Sequence, residues 1–131
     1  MDNDLRNVYA RELGLSVTHN ADDEWAYDNR DRNKIADMCH FYLSRRVDND
    51  RADYLLPLCI LLSVEIAIQS NDLTQNEEAL AVEVVKMAMN FPIDSYYLYK
   101  VIDPTPSEEE IISHWFLKWI PGWTRSPSPW P

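Results

Sequence analysis

Three features of this chain predict an all-α fold. Apolar residues recur at three- and four-residue steps through most of it, the spacing that lines one face of a helix. Glycine is scarce, with only Gly14 and Gly122 in 131 residues, whereas the tight turns of an all-β chain of this length need several. Ser, Thr, Asp or Asn stands ahead of most periodic stretches, where a helix start needs a side-chain acceptor. Together these predict a compact bundle of five or six helices over residues 1–120. An extended Trp- and Pro-rich tail, 121–131, would then pack on that domain or on a partner. The length suits one domain with one core.

The elements follow in order. Asp2 or Asn3 is placed to cap a first helix with Leu5, Val8, Tyr9 and Leu13 on one face, and Gly14 offers a left-handed stop. Residues 15–30, LSVTHNADDEWAYDNR, hold neither a helical period nor sustained alternation. They are predicted to be a loop pinned by Val17, Trp25 and Tyr27, with a small hairpin as the alternative. From Asp31 the period returns through Ile35, Met38, Cys39, Tyr42 and Leu43, with Arg32, Lys34, Arg45 and Arg46 mostly away from that face. VDNDRAD, 47–53, supplies capping side chains.

Tyr54 to Ile68 is apolar nearly all round, the profile of a helix covered on several sides, and Pro57 must fall in its first turn or kink it. Thr74 and Glu77 stand at capping-box spacing ahead of a helix that buries Leu80, Val84, Met87 and Ala88, exposes Glu78 and Glu83, and ends before Pro92. Residues 93–102, IDSYYLYKVI, are predicted as a short helix capped by Asp94 or Ser95, an extended segment being the alternative. A second capping box, Ser107 with Glu110, precedes a helix carrying Ile112, Trp115, Phe116 and Trp119 on one stripe, stopped by Pro121 and Gly122.

Catalytic and metal signatures are missing. Cys39 and His40 are adjacent, so on a helix they point about 100° apart and cannot act as nucleophile and base. Glu110 and His114 share a helix face but supply only half of a metal site, and a capping glutamate beside a surface histidine is the simpler reading. His19 falls in the predicted loop. DDE at 22–24 and EEE at 108–110 lack the glycine-containing calcium loop and read as solvated helix starts. No phosphate cradle or G-x-S-x-G motif occurs. The chain is therefore expected not to be an enzyme, to take no cofactor and to bind no metal.

Net charge is −10, which disfavours nucleic acid and anionic membrane and favours a basic protein partner. The one basic excess, Arg30, Arg32, Lys34, Arg45, Arg46 and Arg51, is interleaved with acids and is expected to form internal salt bridges or to pair with the acidic stretches at 77–83 and 108–110. Cys39 and Cys59 lie in apolar stretches without C-x-x-C spacing, so buried free thiols and a reducing, cytoplasmic setting are expected. The acidic N-terminus shows no secretion signal, and no apolar run is long enough to span a bilayer.

The leading functional expectation is a small acidic protein-binding module that occludes a basic surface of a partner, as an inhibitor, an immunity or antitoxin-like protein, or a phage-encoded antagonist does. Its candidate contact residues are Glu77, Glu78, Glu83, Glu108, Glu109, Glu110, Trp123 and Trp130. Trp123 and Trp130 enter because a proline-rich tail cannot continue a helix, and two exposed tryptophans need cover from the bundle, a second copy or another protein. The alternative is an assembly adaptor or structural subunit that self-associates or docks through that tail. A third class is an enzyme with a concealed carboxylate site.

Overall fold

In the computed structural model, which describes residues 3–17, 22–47 and 52–130, every regular element is helical. Seven α-helices occur among the described residues: α1 (Asn3–Leu13), α2 (Asp22–Asp28), α3 (Ile35–Val47), α4 (Leu55–Gln69), α5 (Gln75–Ala88), α6 (Pro92–Tyr97) and α7 (Ile111–Trp119). Short 3-10 turns, Arg32–Lys34 and Leu98–Lys100, precede α3 and follow α6.

The core is organised around α4. Leu55, Leu56, Leu58, Cys59, Ile60, Leu61, Val64 and Ala67 are all fully buried, and α2, α3, α5 and α7 each pack against it. Pro57 is the third helical residue, where the backbone N–H has no intrahelical partner to lose. The helix starts at Tyr54 with no side-chain cap, and the Tyr54 ring stacks on Tyr97 of α6 with centroids 4.0 Å apart. It stops at Asn71, whose φ of +54° is a left-handed conformation that asparagine tolerates better than most residues. In α5 the Thr74 hydroxyl accepts from the Glu77 N–H and the Glu77 carboxylate accepts from the Thr74 N–H, the reciprocal box the spacing predicts.

Leu5 and Tyr9 of α1 are buried, and Gly14 closes the helix at φ +69° with its N–H on the Ala10 carbonyl. Lys34 then donates to the Leu13 carbonyl, setting a cation at the negative end of the helix dipole. Asp2, the other predicted cap, lies outside the described residues.

Four expectations are corrected. The predicted loop at 15–30 contains α2, which begins within the acidic DDE run. Its seven residues span two turns, too few to display a period. Trp25 and Ala26 are buried there, and the Asn29 side chain ties the helix to the incoming chain by accepting from Ser16 N and donating to the Trp25 carbonyl. Val17 and Tyr27, expected as pins, are exposed. Asp94 and Ser95 do not cap α6; Pro92 opens it after Phe91, and both polar residues lie inside it and are buried. The Ser107–Glu110 box does not form. Ser107 instead closes a turn with Glu110 (N–H to carbonyl, 3.1 Å), its carbonyl also meets His114 Nε2 at 2.8 Å, and α7 begins only at Ile111. Finally, Asp53 does not cap α4, and Asp48 to Arg51 lie outside the described residues.

Replacing Thr74 by Ala removes one half of the α5 box, and the expected cost is about 1 kcal/mol of unfolding free energy, read from the urea midpoint at unchanged m-value.

Candidate functional site

The charged residues divide into an internal set and a surface set. Arg46, expected on the solvent side of α3, is 2% exposed. Its Nε donates to Asp94 Oδ2 at 2.8 Å, and its guanidinium lies 3.6 Å from the centre of the Phe91 ring. The Tyr42 hydroxyl donates to the same Asp94 oxygen at 2.8 Å, and the Asp53 backbone N–H donates to Asp94 Oδ1 at 3.1 Å. Asp53 accepts from the Tyr9 hydroxyl, with Arg45 Nε 3.4 Å from its other oxygen. This network joins α1, α3, α6 and the approach to α4. A buried charge needs a partner and hydrogen bonds to be tolerated, and Arg46 with Asp94 has both. Burial, and behind it the Asp94 carboxylate, pushes Asp53 up to about 8, in spite of Tyr9 and Arg45. The Tyr42 hydroxyl is raised by burial and by Asp94.

The remaining basic cluster is also engaged. Arg32 Nε pairs with Asp72 at 2.9 Å and its guanidinium with Glu77, which holds the Glu77 carboxyl below its ordinary value. Arg30 stacks on the Tyr27 ring at 3.7 Å. Internal pairing of the basic stretch therefore holds for Arg32, Arg45 and Arg46, while Arg51 lies outside the described residues.

Of the predicted contact residues, Glu77 is committed to Arg32 and to its capping box. Glu78 is half-buried and accepts from Trp115 Nε1 at 2.9 Å, tying α5 to α7. Glu83 is exposed on α5. Trp123 is 5% exposed and meets Phe116 edge-on at 5.4 Å, so the tail lies against its own bundle there. Ser126 and Ser95 hydroxyls, 3.0 Å apart, add a second tail contact. Trp130 stays 53% exposed.

Glu108, Glu109 and Glu110 form the turn before α7, the first two exposed. Two clefts flank this segment. One, about 430 Å³, has Leu73, Ile111 and Trp115 in its lining with Glu78, His114 and Lys118. The other, about 520 Å³, is lined by Glu109, Glu110 and Ser113 on one side and by Glu65, Tyr99 and Arg125 elsewhere. The fold thus puts Glu78 in the first cleft and Glu109 and Glu110 in the second, and leaves Glu77, Glu83 and Glu108 out of both. Glu65, Tyr99 and Arg125 were missed by sequence reasoning. Glu65 carried a signal, as the only charge inside the otherwise apolar α4 stretch.

Nothing in either cleft pairs a nucleophile with a base. The Ser113 hydroxyl accepts from the Asp103 N–H at 2.9 Å, and His114 is engaged with Ser107. His40 is exposed and His19 lies outside the described residues. Cys39 and Cys59 are free and buried, and burial pushes both thiols up to about 12. Among the described residues no three His, Cys, Asp or Glu side chains gather closely enough to hold a metal ion, and no helix is long and apolar enough to cross a membrane.

Comparison adds no relative. The chain matches no family model, no curated protein and no solved structure.

Asp53 gives a pH signature. With a folded pKa near 8 against an ordinary 3.8, its contribution to stability is full below about 3.8, declines as pH rises, and is lost through about 8. The Asp53→Asn variant, which cannot ionise there, is expected to gain stability relative to the parent as pH goes from 5 to 9, levelling above 8. Urea midpoints of the two proteins across that range provide the measurement.

Proposed function

We propose that this protein is a small acidic protein-binding module that occludes a basic surface of a partner protein, as an inhibitor, an immunity or antitoxin-like protein, or a phage-encoded antagonist would, and that it works by contact without catalysis. The observation that carries this reading is the acidic turn Glu108–Glu110 set between two clefts, with Glu108 and Glu109 exposed. Burial of Arg46 against Asp94, and pairing of Arg32 with Asp72 and Glu77, support it, because they offset cations that would repel a basic partner. Trp123, buried in its own chain, drops out of the contact set. Glu83 and Glu77 remain peripheral to it. The two buried free thiols favour a reducing setting such as the cytoplasm.

Exposed Trp130, at the end of a proline-rich tail, favours a second reading as an assembly adaptor that docks through residues 127–130.

The test is capture from the native host with wild-type, Glu108→Lys/Glu109→Lys and Trp130→Ala baits, followed by affinity measurement at 50 and 300 mM salt. The acidic reading expects the double charge reversal to lose the partner, Trp130→Ala to keep it, and affinity to fall about tenfold or more across that salt range. Salt-insensitive binding lost only with Trp130 would overturn it in favour of the adaptor.

A further inference from the structure

Asp53 is 1% exposed, and its two carboxyl oxygens are unequally met. Oδ1 accepts from the Tyr9 hydroxyl of α1, whereas Oδ2 has no hydrogen-bond donor among the described residues. Arg45 Nε of α3 stands 3.4 Å from Oδ2, an ion-pair distance without hydrogen-bond alignment. Asp94 of α6, the other acid of the cluster, takes the better donors. Arg46 Nε and the Tyr42 hydroxyl of α3 reach it at 2.8 Å, and the Asp53 backbone N–H at 3.1 Å. Tyr54, next in the chain, stacks its ring on Tyr97 of α6. The two acids thus share one well-aligned guanidinium, and Asp53 is left to hold a proton. Burial and the Asp94 charge both favour its neutral form and push its carboxyl up to about 8.

An ionised Asp53 needs water, and α1 is the element that can admit it. Of the described α1 side chains, Leu5, Arg6 and Tyr9 are buried, while Asn7, Arg11 and Glu12 face solvent. By contrast α4 is enclosed by four helices, and α6 is bound to α3 through Arg46 and Asp94. The C-terminal end of α1 is tied down. Lys34 Nζ donates to the Leu13 carbonyl at 2.9 Å, Leu15 is buried, and Gly14 between them holds φ +69°. A swing about Gly14 lifts Tyr9 away from Trp25 and Phe41, whose ring centres lie 5.3 and 6.3 Å from its own, and uncovers Asp53. We propose that the Tyr9–Asp53 contact is a proton-controlled latch, which holds α1 on the bundle while Asp53 is protonated and releases it about Gly14 when Asp53 ionises, with α3, α4 and α6 still packed. The latch is strongest below about 3.8, weakens as pH rises and is lost through about 8. Over that interval the closed form holds one proton more than the open form, so the opening equilibrium rises about tenfold per pH unit.

Native-state hydrogen exchange of the full chain, read by NMR between pH 5 and 8 and divided by the intrinsic exchange rates, gives the opening equilibrium at each amide. Amides of residues 8–13 are expected to open more readily than those of α4 at every pH, and their opening to rise about tenfold per pH unit. Asp53→Asn keeps an acceptor for the Tyr9 hydroxyl but cannot ionise, so opening of α1 in that variant should be level across the range. Tyr9→Phe, which lacks the phenolic donor, should raise α1 opening about fivefold or more and keep the slope. Glu12→Gln, at an exposed carboxylate of the same helix, should leave the slope unchanged. Opening of α1 that ignores pH, that occurs only together with α4, or whose slope survives Asp53→Asn overturns the latch. Should Asp53→Asn not fold, the comparison of α1 with α4 in the parent chain decides, together with the carboxyl carbon shift of Asp53 followed over the same pH range.

Discussion

The constraint on which the rest of this structure depends is a central helix with no polar face. α4 has to be enclosed, because every side of it would otherwise hold apolar surface in water. Four helices meet that demand, and their packing against α4 decides where the chain can place its charges. Two of the polar residues of α4 illustrate this. Ser63 is buried, with its hydroxyl donating to the Cys59 carbonyl and accepting from the Asp31 N–H, which pins the turn that launches α3. Glu65 is half-buried instead and reaches the seam between the α6 turn and α7, where the packing leaves a cleft.

The second consequence is electrostatic. Where the chain approaches α4, Arg46 and Asp94 meet with little water, beside Arg45 and an Asp53 carboxyl that burial pushes up to about 8. Such a group rarely adds net stability over an apolar replacement, since desolvation offsets much of the attraction. It does select one arrangement, because Asp94 receives donors from Arg46, Tyr42 and the Asp53 backbone, and a shifted α6 would strand all three. The same contact takes one cation, Arg46, out of water together with one carboxylate, Asp94, so it fixes the packing without changing the net charge.

The long elements were legible because their signals are local and repeated. α3, α4 and α5 each run for several turns, so period, capping box and apolar run could be read directly. α2 was not legible: with two turns there is no period, and its identity comes from Trp25 and Ala26 finding places against α4. Arg46 was misplaced for a related reason. Periodicity assigns a charged residue to water unless its partner is known, and Asp94 lies 48 residues away. Of the candidate site, the acids at 78 and 108–110 were legible as acids, but the placing of Glu78 in one cleft and of Glu109 and Glu110 in another was not, since Glu78 is held by a hydrogen bond from Trp115 on a different helix.

The most informative departure from local rules is the second capping box. Ser107 and Glu110 have the right types at the right spacing, yet Glu110 takes the N-cap position without a side-chain hydrogen bond, while Ser107 is held in a preceding turn by its carbonyl. Had the box closed, the Glu110 carboxylate would have been consumed by a backbone N–H, as Glu77 is in α5, and Glu108 and Glu109 would lie within the first turn of a longer helix. Instead the turn carries its acids outward between two clefts and leaves one carboxylate oxygen shielded and unmatched. Two stretches of the same grammar thus fold differently because residue type and spacing only permit a capping box, while the tertiary surroundings decide whether it closes.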